Sequence, residues 1–249
     1  MIELYHWEPT SNSGEVLICL KEKGLDFTSH YVDVLAGEQF SPGLLELNRY
    51  GQVPVLVHDG KALTETGFIL QYLDASFPDA PLTPASAEDR YWVGVWIKYV
   101  NEYMAPAAWK LGAEAIAAQA GAGLRASLAA APPERQQAWR KALDGFDAVD
   151  REIARGLLPV RLERMEAALG QAPWLAGETY SLADIAVFPT ASALVHVAPD
   201  LVNAAATPRT CEWLQRMRAR PAVQAALAMA RTEHPDRAFA PGPEGSRWG

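Results

Sequence analysis

The chain has 249 residues, enough for one large domain or two modest ones and for a core that needs no disulfide or metal staple. With 49% hydrophobic and 21% charged residues its composition is globular, which excludes a disordered or fibrous chain. Lys and Arg number 22 against 30 Asp and Glu, a net charge of −8 that argues against a nucleic-acid partner, since phosphate affinity comes from clustered cations.

No apolar run approaches the length of a membrane span, and Met1-Ile2-Glu3-Leu4 lacks the basic start of a secretory signal. Cys19 and Cys211 form neither a CxxC pair nor a metal-ligand spacing. The expectation is a cytoplasmic protein without membrane, nucleic acid or metal.

Ile2–His6 reads as a strand, followed by the turn-rich Glu8-Pro9-Thr10-Ser11-Asn12-Ser13. Val16, Leu17 and Leu20 mark one side of a helix that Gly24 stops, and 27–34 is a second strand. After a helical segment, Gly51–Val57 and Ala62-Leu63 bracket His58-Asp59-Gly60, in which Asp-Gly is a strong hairpin signal. Phe68, Ile69, Tyr72 and Leu73 then repeat at helical spacing. The first unit is therefore a small α/β domain over residues 1–80.

Pro78, Pro81 and Pro84 interrupt both strand and helix, and 81–88 reads as a linker. From 89 to 232 the patterns are helical throughout. Trp92, Trp96, Tyr99 and Tyr103 lie on one stripe of a long helix; further helices are expected over 134–155, 160–169, 181–194, 208–218 and 221–231. Residues 233–249, rich in Pro, Gly and Arg, read as a surface tail.

Two segments carry chemistry. In Gly51-Gln52-Val53-Pro54-Val55 a proline stands at the entrance of a strand, where a cis bond is often found and where Val53 would keep its N–H and C=O free for an extended, peptide-like ligand. A plain strand entry is the alternative. In Thr64-Glu65-Thr66-Gly67 a strand hands over to a helix that Thr66 is placed to cap. The N–H groups there suit a carboxylate and Glu65 an ammonium, which together fit an α-amino acid terminus; an ordinary cap with a solvated Glu is the alternative.

Taken together, the α/β unit, Gln52-Val53-Pro54 before the third strand and Glu65-Thr66 at the third helix resemble the thioredoxin-like domain of glutathione S-transferases. The helical second domain fits the same family, as does Tyr180-Ser181-Leu182-Ala183-Asp184, whose Ser181 and Asp184 have capping-box spacing. The resemblance implies an α/β thioredoxin-like N-terminal domain plus an all-α C-terminal domain, with glutathione as co-substrate and a homodimer as the assembly. It implies that Val53 pairs with the cysteinyl part of glutathione across a cis Pro54. Glu65 and Thr66 would hold the γ-glutamyl end, and Gln39 or Gln52 the glycyl end.

A free thiol titrates near 8.5, and lowering that by two units takes about 2.7 kcal/mol of preferential anion stabilisation. One or two hydrogen bonds beside a helix N-terminus are of that size. Ser11-Asn12-Ser13 stands where such groups belong in this family; Ser13 leads, then Asn12, then Ser11. Asn12 with Glu15 also has capping-box spacing, which would account for the pair without chemistry. Tyr5 lies within the strand pattern, and Cys19 falls mid-helix near the apolar face.

Asn12-Ser13, Glu22-Lys23-Gly24-Leu25, His58-Asp59-Gly60-Lys61, Trp96–Tyr103, Trp139-Arg140 and Gly145-Phe146 are similar to bacterial glutathione-dependent β-aryl etherases of lignin breakdown. Thr66-Gly67 and Tyr50 depart from that branch. The resemblance implies displacement of a phenoxide from the carbon β to an aryl ketone. Trp7, Tyr103, Trp109 and Trp139 are the expected aromatic walls of the substrate site. A general detoxifying glutathione transferase or peroxidase, and a glutathione-binding module without turnover, stand as the other two readings.

Overall fold

The computed structural model describes residues 1–120 and 122–232. The N-terminal part is a four-stranded sheet in the order β2-β1-β3-β4, built from β1 (Ile2–His6), β2 (Thr28–Tyr31), β3 (Val55–His58) and β4 (Lys61–Leu63). β1 pairs with β2 in parallel and with β3 antiparallel; β3 and β4 form the hairpin turned by Asp59 and Gly60, both at positive φ. Helices α1 (Ser13–Glu22), α2 (Pro42–Leu47) and α3 (Thr66–Ser76) complete the unit, with a 3₁₀ turn at Glu38–Phe40.

β2 is shorter than expected, because the Asp33 carboxylate accepts the N–H groups of Leu35 and Ala36 and turns the chain out of the sheet. Lys23, at the end of α1, pairs with Asp74 at 2.7 Å and donates to the carbonyls of Phe77 and Ala80, which fastens the proline-rich stretch after α3.

The C-terminal part is helical: α4 (Ala87–Tyr99), α5 (Ala105–Gln119), α6 (Ala122–Ser127), α7 (Pro133–Asp144), α8 (Ala148–Leu169), α9 (Leu182–Val197), α10 (Pro208–Arg218) and α11 (Pro221–Leu227). A π-helical turn at Val100–Met104 joins α4 to α5, so the aromatic stripe runs through a widened turn of the kind often found at functional sites.

The helix expected over 134–155 is two helices. The chain turns at Gly145 (φ 93°), and Asp147 caps α8 by accepting the Asp150 N–H at 2.7 Å. α8 then runs straight through Pro159, held by the buried face of Ala154, Leu158, Leu162, Met165 and Leu169. The last helix ends at Leu227, short of the expected 231. The tail expected at 233–249 lies outside the described residues.

α9 is buried from Leu182 to Leu194 and packs against α1, α4, α5 and α10, which makes it the common wall of both parts. Its capping box forms: Ser181 and Asp184 exchange side-chain-to-backbone bonds. Asp184 also accepts from the Leu175 N–H and the Trp213 indole, at 3.0 and 2.9 Å. Burial pushes its carboxyl up to about 6.

Candidate active site

The sheet register gathers three loops at one end. Tyr5 pairs with Val55 at the C-terminal end of β1 and the N-terminal end of β3, and Leu56 pairs with Leu63 at the end of β4. Residues 7–12, 48–54 and 64–66 therefore emerge side by side. They bring together Asn12, Val53 and Glu65 from three distant stretches of sequence.

The first loop is tightly folded. The Ser11 N–H and hydroxyl both donate to the Glu8 carbonyl, at 3.0 and 2.6 Å. The Ser13 N–H donates to the Ser11 hydroxyl at 3.2 Å, and the Trp7 N–H to the Ser13 hydroxyl at 2.9 Å. A Cβ on Gly14 would fall onto the Pro9 carbonyl, so only glycine lets the loop fold back over the first turn of α1.

Ser11 and Ser13 are 1% and 0% exposed, whereas Asn12 is only partly buried. Both serine hydroxyls hold the loop from inside, and Asn12 is the most exposed of the three candidates. Asn12 stands at the start of α1 with helical backbone (φ −53°), and its side chain makes no capping bond. The capping box expected with Glu15 does not form. Glu15 is instead buried, and burial holds its carboxyl well above the usual range. Cys19 is buried in α1, and burial raises its thiol, so it has no thiolate character.

The second loop ends in a cis Val53–Pro54 bond. Sheet pairing starts only at Val55, so the Val53 backbone takes no part in it. Asn48, which sequence reasoning missed, shapes the approach: its side-chain amide donates to the Gln52 carbonyl at 3.0 Å and accepts the Tyr50 N–H at 3.1 Å. The Asn-x-x-Gly spacing of Asn48 and Gly51 is a turn signal that would have pointed to it. Gln52 is half-buried beside Val53. Gln39 is buried; its amide nitrogen donates to the Val34 carbonyl at 3.2 Å, while its amide oxygen is buried without a hydrogen-bond partner.

In the third loop the cap is Glu65, not Thr66. Glu65 precedes α3 with φ 69° and ψ 100°, and its side chain makes no capping bond; Thr66 is the first helical residue. Glu65, Thr66 and Gly67 are all half-buried. A Cβ on Gly67 would lie 2.6 Å from the Ile97 γ2 methyl and 3.8 Å from the Asn101 amide nitrogen. The end of α4 and the π turn thus close over the start of α3 and border the site.

Of the four expected aromatic walls, Trp7, Trp109 and Trp139 are core residues, 0%, 4% and 1% exposed. Trp109 packs edge-on against Trp139 and Phe146, at 6.1 and 6.2 Å between ring centres. Of the four only Tyr103, in the π turn with its ring tilted against Tyr99 at 5.5 Å between centres, is exposed. Among the described residues no group of three His, Cys, Asp or Glu is placed to hold a metal, and no helix is long and apolar enough to cross a membrane.

Residues 1–75 match the family model "Glutathione S-transferase, N-terminal domain", and residues 126–221 match "Glutathione S-transferase, C-terminal domain". The chain belongs to the glutathione S-transferase family. It is 35% identical over 246 residues to protein LigF of Sphingobium sp. (strain NBRC 103272 / SYK-6), covering 93% of this chain and 95% of that one. The crystal structure of beta-etherase LigF from Sphingobium sp. strain SYK-6 superposes with a TM-score of 0.85 and 34% identity, over 92% of this chain and 99% of LigF. Glutathione S-transferase 3 of Zea mays is 30% identical over 91% of this chain and 93% of its own. A Sulfitobacter glutathione transferase homologue, solved with bound glutathione, has a TM-score of 0.69 at 26% identity, over 90% and 96% of the two chains. The thioredoxin-like sheet and helical second part are therefore those of the family, and glutathione is the family's ligand.

Proposed function

We propose that this transferase activates the glutathione thiol at Asn12 and uses it to cleave β-aryl ethers of aromatic ketones. The observation that carries the reading is the convergence of Asn12, the unpaired-in-sheet Val53 backbone and the Glu65-Thr66 turn at one end of the sheet. An extended tripeptide laid along Val53 would place its γ-glutamyl end at the first turn of α3. Its sulfur would then face the start of α1.

There the Asn12 amide donates a hydrogen bond to the thiolate, and the N-terminus of α1 adds partial positive charge. Ser13 and Ser11 hold the turn. Gln52 or Gln39 serves the glycyl end. The thiolate attacks the carbon β to the ketone from the face opposite the ether oxygen; the C–S bond forms as the C–O bond breaks, and the phenoxide leaves with the electron pair. The neighbouring carbonyl makes that carbon electrophilic, so the protein's contribution is thiolate stabilisation and alignment. Tyr103 supplies a flat wall for the arene.

The choice of ether as electrophile is supported by the likeness to beta-etherase LigF over nearly the full length of both chains. The likeness to maize Glutathione S-transferase 3 favours general conjugation of small electrophiles as the second reading. A fluorogenic β-aryl ether separates them. Phenol released only with glutathione supports the etherase; conjugation of a generic aryl chloride without ether cleavage supports the second.

A homodimer fits the same reading, with Phe68 and Tyr72 on α3 and Tyr91 and Trp92 on α4 exposed at 68%, 37%, 63% and 39% for the contact. A cytoplasmic setting agrees with two free thiols, Cys19 and Cys211.

A further inference from the structure

The Glu8 carboxylate has no part in the scheme above, yet it is fully buried four residues before Asn12. The Tyr31 hydroxyl donates to it at 2.5 Å from β2. The backbone N–H of Arg231 donates to both of its oxygens, at 3.1 and 3.2 Å, and that of Thr232 to one, at 3.1 Å. The Arg231 guanidinium lies over the Tyr31 ring at 4.5 Å. A buried carboxylate is tolerated only with such donors, and here two of them come from the chain beyond α11, 223 and 224 residues away in sequence.

Glu8 works at both ends. Its side chain holds residues 231–232, while its backbone carbonyl accepts both donors of Ser11 and so sets the turn that presents Asn12. We propose that Glu8 is a positioning residue for the thiol site: the chain beyond α11 clasps its carboxylate, and through its backbone the clasp fixes where Asn12 meets the sulfur. This rests on the reading that Asn12 faces the glutathione thiol. A shift on the order of 1 Å at such a contact costs as much as hundredfold in rate, so the clasp need not touch substrate to matter.

Three chains test it: Glu8→Gln, which keeps the volume but turns an amide N–H₂ towards the donors; a chain ended after Ala230, which removes the donors and leaves Glu8; and a chain ended after Ala238, which keeps them. The readouts are the thiol pKa of bound glutathione from its ultraviolet absorbance against pH, kcat and KM for glutathione, and exchange protection of the Arg231 and Thr232 amides. Glu8→Gln and the Ala230-ended chain should each raise the bound-thiol pKa by about half to one unit and lower kcat roughly three- to tenfold at neutral pH, with KM within about twofold. Combining them should add nothing, and the Ala238-ended chain should match the full chain. A bound-thiol pKa unchanged in both variants, while exchange shows the clasp open in Glu8→Gln, overturns the proposal alone. A full chain that binds no glutathione overturns the reading of the site and the proposal with it.

Discussion

The Trp7 N–H donates to the Ser13 hydroxyl at 2.9 Å, inside the loop and away from the cleft. That bond divides the work between neighbours. Ser13→Ala leaves a buried N–H without its acceptor, which should cost about 1–3 kcal/mol of stability. It should move the bound-thiol pKa less than Asn12→Ala does. Asn12→Ala removes a hydrogen bond to a charged group worth about 1.5–3 kcal/mol, which corresponds to roughly ten- to hundredfold in kcat at neutral pH. Denaturant unfolding and thiolate titration of both variants check the division; a larger thiol pKa rise in Ser13→Ala than in Asn12→Ala would reverse it.

Gly67 explains itself by the methyl it faces. With the Ile97 γ2 carbon 2.6 Å from where a Cβ would sit, Gly67→Ala should push α3 from α4 and cost about 1–3 kcal/mol. Because Gly67 follows Thr66 at the glutathione end of the cleft, KM for glutathione should rise as well. Ile97→Leu removes the branching methyl, and adding it to Gly67→Ala should restore part of both losses. Thermal melts and KM values of the single and double variants decide; absence of any rescue would place the strain elsewhere.

Much of the fold was legible because its signals are local. The Asp59-Gly60 hairpin, the Ser181–Asp184 box and the limits of α10 follow from residue types at fixed spacings, and the structure keeps them. What was not legible depends on tertiary context. The helices expected over 134–155 and 160–169 leave Pro159 between them, but a buried apolar face holds α8 through it. The burial of Ser11, Asn12 and Ser13 could not be read from their sequence; the folding of the loop over Gly14 turns the two serines inward. Trp7, Trp109 and Trp139 are as suited to a pocket as to a core, and packing put them in the core. Glu8 gave no signal at all, because its partners lie at the far end of the chain.

Asp184 gives a pH test of the core. Burial raises its carboxyl to about 6, above the unfolded value near 3.9, so between those values the folded state binds more protons than the unfolded one. Stability from this group is therefore fully present below about pH 4 and is lost as pH rises through about 6, by about 3 kcal/mol at most. Asp184→Asn should be destabilised at every pH, because an amide N–H₂ cannot accept the Ser181 N–H. The gap between wild type and Asp184→Asn should narrow from pH 4 to pH 7. Unfolding free energies across that range check it, and a gap that widens would mean that the four donors, the Leu175 and Ser181 N–H groups, the Ser181 hydroxyl and the Trp213 indole, outweigh burial.

The two parts of the molecule are also joined by a forked ion pair. Arg220, between α10 and α11, donates through Nε and a terminal nitrogen to the two Glu22 oxygens on α1, at 2.6 and 3.0 Å. The same guanidinium stacks 3.5 Å over the Tyr180 ring. Both side chains are partly shielded, so the pair is worth more than a surface bridge but must be discounted for solvent. Arg220→Ala should cost about 1–2 kcal/mol, and Arg220→Lys should recover less than half, since an ammonium can neither fork nor stack. In a double-mutant cycle with Glu22→Ala the coupling should be on the order of 1 kcal/mol. A coupling within about 0.3 kcal/mol of zero would assign the stabilisation to the Tyr180 and Trp174 rings under the guanidinium, most of which Tyr180→Leu would then remove.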